Sequence, residues 1–348
     1  MSGASMKAAV LHGREDVRVE SVPRPRPGVG EVLLRNRVAL TCGTDVKVFR
    51  RGYHARMITP PSVFGHEVAG VVEEVGHGVS GLAPGTPVVV ANSAPCGECE
   101  YCLAGRPSLC DRLLFWNGAY AELSRIPARI VAKNLLVLPP QLTFRQAAMA
   151  EPLACVVRGV AESALRPGQT AAVIGVGPIG LMFVALLRER GVRVVAAGRR
   201  PERLRRALEL GASAAIVAGD GQELAQQLRE NSPDGRGPHV VIEAVGSATT
   251  SEAAVRAVRK GGKVNLFGGC PAGTRLGLDA PLLHYEELTV FATFHHTPDS
   301  MREALGLIAS GRIDPEAFIT AEAPLERLPE VLREMAHGGS GLKTAIVP

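Results

Sequence analysis

Between residues 170 and 198 the chain runs through strand, glycine turn, apolar helix and strand, an order that leaves little choice of fold. Thr170–Ile174 is a short unbroken apolar run that reads as a buried strand. Gly175-Val-Gly177-Pro178-Ile179-Gly180 follows, then an apolar helical stretch to Arg190 and a second strand, Val192–Ala197. Two parallel strands joined through a helix need a right-handed crossover and a sheet covered on both faces. In that setting Gly175 permits the tight turn, and Gly177 lets the backbone approach a pyrophosphate. Gly180 lets helix and strand close together, while Pro178 and Ile179 open a helix whose N-terminus favours an anion. The motif therefore predicts a dinucleotide site.

The second strand ends Ala197-Gly198-Arg199-Arg200, where a carboxylate would accept hydrogen bonds from ribose hydroxyls. Without that carboxylate a 2′-phosphate is not repelled, and two guanidiniums can pair with it, so NADP is expected in preference to NAD. Pro201 suits the first turn of a helix and Gly211 its stop, with Leu204 and Leu208 expected to share one face. Further strands are expected at Ala214–Val217, Val240–Ala244, Lys263–Gly268 and Leu288–Thr293, giving a six-stranded doubly wound α/β fold.

The chain is 348 residues long, enough for two domains. Residues 6 to 92 read differently from the middle: Met6–Gly13, Asp16–Val22, Glu31–Leu40, Val68–Val75 and Thr86–Ala91 are short Val- and Leu-rich strands between turn signals, as in a small barrel or sandwich. The tail, Pro298–Pro348, is expected to pack back on this first domain. A net charge of +5 and an aromatic content of 4% argue against a nucleic-acid partner. The start, Met1 to Lys7, lacks the apolar core of a leader, and the uncharged Gln169–Leu187 is interrupted by Gly175, Gly177, Pro178 and Gly180, so neither is read as a membrane span. A cytoplasmic protein acting on a small molecule is expected.

Seven cysteines, an odd number, do not suggest a disulfide framework. Four of them crowd into Cys96-x2-Cys99-x2-Cys102-x7-Cys110. Thiolates so close repel unless a cation shares them, and four sulfurs close a tetrahedral zinc shell, so this lobe (95–111) is expected to hold a structural zinc.

Earlier stand Cys42-Gly-Thr44-Asp45 and Gly65-His66-Glu67, and later Glu151-Pro-Leu-Ala-Cys155. With the cysteine lobe and the glycine turn, these residues resemble the zinc-dependent medium-chain dehydrogenases, nearest the sorbitol, threonine and polyol dehydrogenases, from about Met6 to the end. The resemblance implies a GroES-like catalytic domain (1–155 and 295–348) and a Rossmann domain (156–294). It implies a catalytic zinc on Cys42 and His66, with Glu67 and Glu151 supplying or exchanging the other ligands, and thus two zinc ions per subunit. Asp45 would orient His66, and Thr44 would take the substrate proton. Lys47 replaces the histidine that often ends the proton relay, so the relay must end elsewhere. Cys155 reads as a buried thiol beside Glu151. Arg203 would lie near the ribose, and Leu266, Phe267, Gly268, Thr293, Phe294 and His295 along the nicotinamide; His295, His296 and Glu151 would face substrate. The expected reaction is oxidation of a secondary alcohol to a ketone in a homodimer or homotetramer. An amino-alcohol dehydrogenase and a non-catalytic NADPH-binding redox sensor are the alternatives.

Overall fold

A computed structural model describes residues 4–54, 56–339 and 341–348. Part of the leader reading (Met1, Ser2, Gly3) and Ala55 in the 50–61 loop lie outside them. The chain divides into two units, one formed by residues up to Ala154 together with His296–Pro348, the other by Cys155–His295.

The first unit opens with β1 (Ser5–Gly13), β2 (Asp16–Pro23), β3 (Val32–Leu40), helix α1 (Gly43–Arg51), β4 (Ser62–Val63), β5 (Glu67–Val75) and β6 (Pro87–Val90). It continues through β7 (Ser93–Ala94), α2 (Glu100–Leu103), β8 (Leu114–Phe115), β9 (Leu123–Ile126), α3 (Ala128–Asn134), β10 (Leu135–Val137) and α4 (Phe144–Ala147). α5 (Ala150–Ser163) begins in this unit and ends in the second.

The second unit carries β11 (Thr170–Ile174), α6 (Pro178–Glu189), β12 (Arg193–Gly198), α7 (Pro201–Glu209), β13 (Ala214–Val217), α8 (Gly221–Glu230), β14 (Val240–Glu243), α9 (Ala248–Ala257), β15 (Lys263–Leu266), α10 (Ala280–Tyr285) and β16 (Thr289–Phe291). The first unit resumes with α11 (Pro298–Ala309), β17 (Ile319–Pro324), α12 (Leu328–Ala336) and β18 (Lys343–Val347).

In the first unit β3 is the organising strand. The main sheet runs β10-β6-β5-β3-β18-β17, with β9 also pairing with β3, and a second sheet runs β2-β1-β4. β3 places Leu40 opposite Glu67 of β5 on one side and opposite Ala345 of β18 on the other. Register shifts at Leu33/Leu34 and Asn36/Val38 bend this pair, as bulges do. The core beneath includes Leu34, Phe49, Phe64, Tyr120, Ile126 and Leu328, all buried.

The second unit is a parallel six-stranded sheet in the order β13-β12-β11-β14-β15-β16. The order reverses between β11 and β14, the switch point where open α/β sheets bind ligands. β11 is buried at every position, as a strand covered on both faces must be. One helix face differs from the sequence expectation: α7 buries Leu204 and Ala207, whereas Leu208 is 47% exposed. The i and i+3 positions point at the sheet, and the fourth residue falls past the edge of that stripe. Cys155 is likewise half-buried rather than buried. No helix among the described residues is long and apolar enough to cross a membrane.

Candidate metal centre and dinucleotide turn

Cys42 precedes α1 as its N-cap, in extended backbone, so its sulfur stands at the helix start. The Thr44 amide donates to that sulfur at 3.4 Å, and the Cys42 amide donates to Asp45 Oδ2 at 2.8 Å. His66 and Glu67 arrive from the start of β5, after Gly65. Gly65 sits at φ +93°, and a Cβ there would run into the Tyr120 ring, so only glycine lets this strand enter against Tyr120. One ligand atom from each of Cys42, His66 and Glu67 comes within 4.8 Å of the others.

Buried polar groups brace this trio. Asp45 Oδ1 lies 3.3 Å from His66 Nδ1, and Tyr120 donates its hydroxyl to Asp45 Oδ2 at 2.6 Å. Burial works against a charged His66, but Asp45 and Cys42 outweigh it and hold the imidazole well above its usual value. Burial and Asp45 together push the Tyr120 phenol well up, so it stays a donor.

Lys343 was not anticipated. From β18 its ammonium donates to both Glu67 oxygens, at 2.7 and 2.5 Å, and to the Thr41 carbonyl at 3.0 Å. Burial opposes its charge, yet Glu67, Cys42 and Glu151 prevail and keep Lys343 protonated. Burial pushes Glu67 upward against the pull of Lys343 and His66.

Glu151 stands apart from the trio, in the first turn of α5, buried beside His296 with 3.7 Å between Oε1 and Nε2. Asn92, also buried, lies with Oδ1 3.0 Å from His296 Nε2. Burial, set against the attraction of His66, raises the Glu151 carboxyl to about 7. Cys155 joins none of the three groups of candidate metal donors among the described residues, Cys42–His66–Glu67, Glu151–His295–His296 and the four lobe cysteines. Thr44 is half-buried, while Lys47 is exposed. Sequence patterns gave no sign of Tyr120 or Asn92; a lysine opening an apolar C-terminal strand was the only trace of Lys343.

The four lobe cysteines gather with their sulfurs within 4.8 Å of one another, and none forms a disulfide. Amides aim at the sulfurs: Gly97 to Cys102 (3.4 Å), Glu98 and Cys99 to Cys96 (3.4 and 3.3 Å), Cys96 to Cys110 (3.2 Å). The Glu98 amide helps pull the Cys96 thiol down to about 6, while burial pushes Cys102 up to about 12. Four sulfurs cannot all ionise side by side without a cation, and a complete thiolate shell suits structural zinc.

In the second unit Gly175 takes φ +106° directly after β11, and a Cβ on Gly180 would collide with the Gly175 carbonyl. Gly177 caps α6 and Pro178 opens it. The turn therefore leaves amides and a helix N-terminus free of side-chain bulk at the switch point. Gly198 ends β12, Arg199 is exposed, and Arg200 caps α7 with Arg203 half-buried one turn on. Leu266, which ends β15, and Phe267 and Gly268, which follow it, are half-buried; the Phe267 and Gly268 amides donate to the Glu243 carbonyl at 3.0 and 2.7 Å. Buried Glu243 also accepts from Val245, Gly246 and Thr250, fixing the neighbouring loop. Thr293 is buried and Phe294 exposed, its ring stacked on His295 with centroids 5.4 Å apart.

A Rossmann sheet with this turn, a barrel-like unit with a Cys–His–Glu donor set and a four-cysteine lobe together define a zinc-dependent, dinucleotide-linked dehydrogenase. Two family models match: the alcohol dehydrogenase GroES-like domain over residues 28–139 and the zinc-binding dehydrogenase over 178–310. The chain is 32% identical over 346 residues to the sorbitol dehydrogenase of Bombyx mori, covering 97% of each. Alcohol dehydrogenase TADH from Thermus sp. ATN1 superimposes with a TM-score of 0.90 at 33% identity, covering 98% of this chain and 99% of that one. A protein from Sinorhizobium meliloti 1021, assigned to the zinc-binding dehydrogenases and bound to NADP, gives 0.89 at 30% identity over 99% and 100%. The chain belongs to the zinc-dependent medium-chain dehydrogenase family, and it is an alcohol or polyol dehydrogenase. The reading as a non-catalytic sensor falls with that result.

Proposed function

We propose that the enzyme reversibly oxidises a secondary alcohol of a polyol or sugar-like molecule to the ketone, with zinc at the Cys42 centre and NADP as the preferred partner. The observation that carries this is the Cys42–His66–Glu67 set, half-buried at Cys42 and buried at the other two, whose mixed donors within 4.8 Å suit a zinc ion with an open position. The polyol preference is supported by the relative named for sorbitol.

Bound zinc supplies Lewis acidity that makes an alcohol proton removable near neutral pH, and bound NADP supplies the hydride acceptor. Cys42 and His66 would hold the metal, with Glu67, which lies with them, and Glu151 supplying or exchanging the remaining ligation so that one position stays open for substrate. Asp45 occupies the Nδ1 side of His66 and so leaves Nε2 to ligate. Thr44 receives the substrate proton. Exposed Lys47 stands where a relay histidine would be, so the relay would end in solvent, in a ribose hydroxyl of bound nucleotide or in another residue. His296, held by Asn92, binds a substrate hydroxyl together with His295.

Gly175, Gly177, Pro178, Ile179 and Gly180 receive the pyrophosphate, and Leu266–Gly268 with Thr293–His295 line the nicotinamide. Gly198, Arg199, Arg200 and Arg203 take the adenosine end. Burial, and after it the neighbouring charge of Arg200, lower Arg203; the phosphate reading rests on the arginines themselves, whose guanidiniums can pair with a 2′-phosphate. Replacing Arg199 and Arg200 together by alanine is expected to lower kcat/KM for NADP about 10- to 100-fold and to leave NAD nearly unchanged. Equal losses with both nucleotides would count against the assignment.

The protein is read as cytoplasmic, since seven free thiols suit a reducing compartment. It is read as a homodimer or homotetramer, since β16 leaves the outer edge of a parallel sheet to be covered. Assay with polyols, simple alcohols and L-threonine, each with NADP and NAD, tests the main reading. Polyols with NADP are expected to give the highest kcat/KM. A maximum with L-threonine would shift the substrate to amino alcohols, and equal values for the two nucleotides would remove the NADP preference.

A further inference from the structure

After β16 the chain makes a turn, Thr293–His295, whose shape is unusual: His295 sits at φ +69°, a left-handed conformation that side chains with a Cβ seldom adopt. Such a conformation persists only where the surroundings over-determine it. The restraint comes from α5. Arg158 Nη1 donates to the Phe294 carbonyl at 2.5 Å and reaches the His295 carbonyl at 3.5 Å. Its Nε and Nη2 donate to Glu162 Oε1 at 2.9 and 2.6 Å, an i,i+4 pair on one face of the helix. The other Glu162 oxygen accepts from Thr293 Oγ1 at 2.6 Å. Thr293 Oγ1 in turn accepts from fully buried Asn265 Nδ2 at 3.1 Å. Three consecutive residues are thus tied to one Arg–Glu pair, and the guanidinium side chain is only 15% exposed.

We propose that Arg158, acting with Glu162, is a positioning residue for the cofactor: it locks the Thr293–His295 turn in the form that receives the nicotinamide. This rests on the reading of that turn as nicotinamide-lining. A planar guanidinium serves the carbonyls and the carboxylate at once because its donors form a fixed fork, which an ammonium cannot reproduce. The exposed Phe294 ring, stacked on His295, is set by the same backbone. Without the fork the turn relaxes towards ordinary backbone angles and its two rings move.

The test uses the full zinc-loaded enzyme and three variants, Arg158→Ala, Arg158→Lys and Glu162→Gln. Steady-state kinetics, zinc content and amide hydrogen exchange over 293–295 are measured with and without NADP. Arg158→Ala is expected to raise KM for NADP about 10-fold or more, to lower kcat by a smaller factor and to leave zinc content unchanged. Exchange over 293–295 quickens in the nucleotide-free variant. Arg158→Lys keeps the charge and one bond, and gives a KM between wild type and alanine; it decides the matter should the alanine variant fail to fold. Glu162→Gln, which still accepts from Thr293, also falls between the two. A KM within twofold of wild type in both Arg158 variants overturns the proposal, even if exchange quickens, because the clamp would then serve the fold alone. Failure of the underlying reading shows in the wild type: NADP would protect the Gly175–Gly180 turn but leave 293–295 unprotected.

Discussion

Cys42→Ser lowers kcat/KM by about a thousandfold or more and drops the zinc content from two ions per chain to one, while NADPH binds as in the parent. A thousandfold loss corresponds to about 4 kcal/mol of transition-state stabilisation, the scale expected when a Lewis acid is lost. The serine is nearly isosteric, so α1 keeps its start, but a hydroxyl is a far poorer ligand for zinc than a thiolate. Nucleotide binding is expected to survive because the glycine turn and the arginines belong to the other unit. Metal analysis, fluorescence titration with NADPH and steady-state kinetics check the three parts separately. Unchanged turnover at one zinc per chain would remove Cys42 from the mechanism, and a preparation of the parent holding one zinc or none would remove the two-site description.

Lys343→Met is expected to destabilise the first unit by about 3–5 kcal/mol, because it leaves the Glu67 carboxylate buried and uncompensated. The chain's one tryptophan, Trp116, lies 7% exposed in the core of the same unit and reports its unfolding by fluorescence. At a urea dependence of about 1–3 kcal/mol per M, the midpoint falls by about 1–5 M. Removing both charges in Lys343→Met/Glu67→Gln recovers most of the loss, since no unpaired ion then remains. A single variant whose midpoint matches the parent would show that Glu67 does not depend on Lys343. Activity separates two roles: a double variant that is stable but slow places the pair in catalysis as well as in the fold.

Local patterns carried most of the architecture. The six strands of the second unit were legible because strands covered on both faces read as continuous apolar runs, and glycines marked the turn between them. β4, β7, β9 and β10 were not legible; so few residues establish no period, and unlike the equally short β13 to β16 they stand in no strand–helix alternation that would mark them. The metal donors could be found because Cys42-Gly-Thr44-Asp45, His66-Glu67 and the lobe are each contiguous. Lys343 could not, because its partner Glu67 lies 276 positions away and only β3, lying between β5 and β18, brings them together. Tyr120 is hidden for the same reason: its hydroxyl meets Asp45 across 75 positions. Leu208 failed differently, since four helical steps overshoot a narrow buried stripe that three steps meet.

The place of β18 bears on how the molecule comes off the ribosome. The strand slots between β3 and β17, and its lysine meets the Thr41 carbonyl across 302 positions. During synthesis the Ala39–Leu40 end of β3, which β9 does not cover, therefore waits with one flank open while the whole nucleotide-binding unit emerges and can fold by itself. An open strand flank is a template for pairing with other nascent chains. Growth temperature and chaperone supply should consequently govern soluble yield more through this late closure than through the parallel sheet made in between.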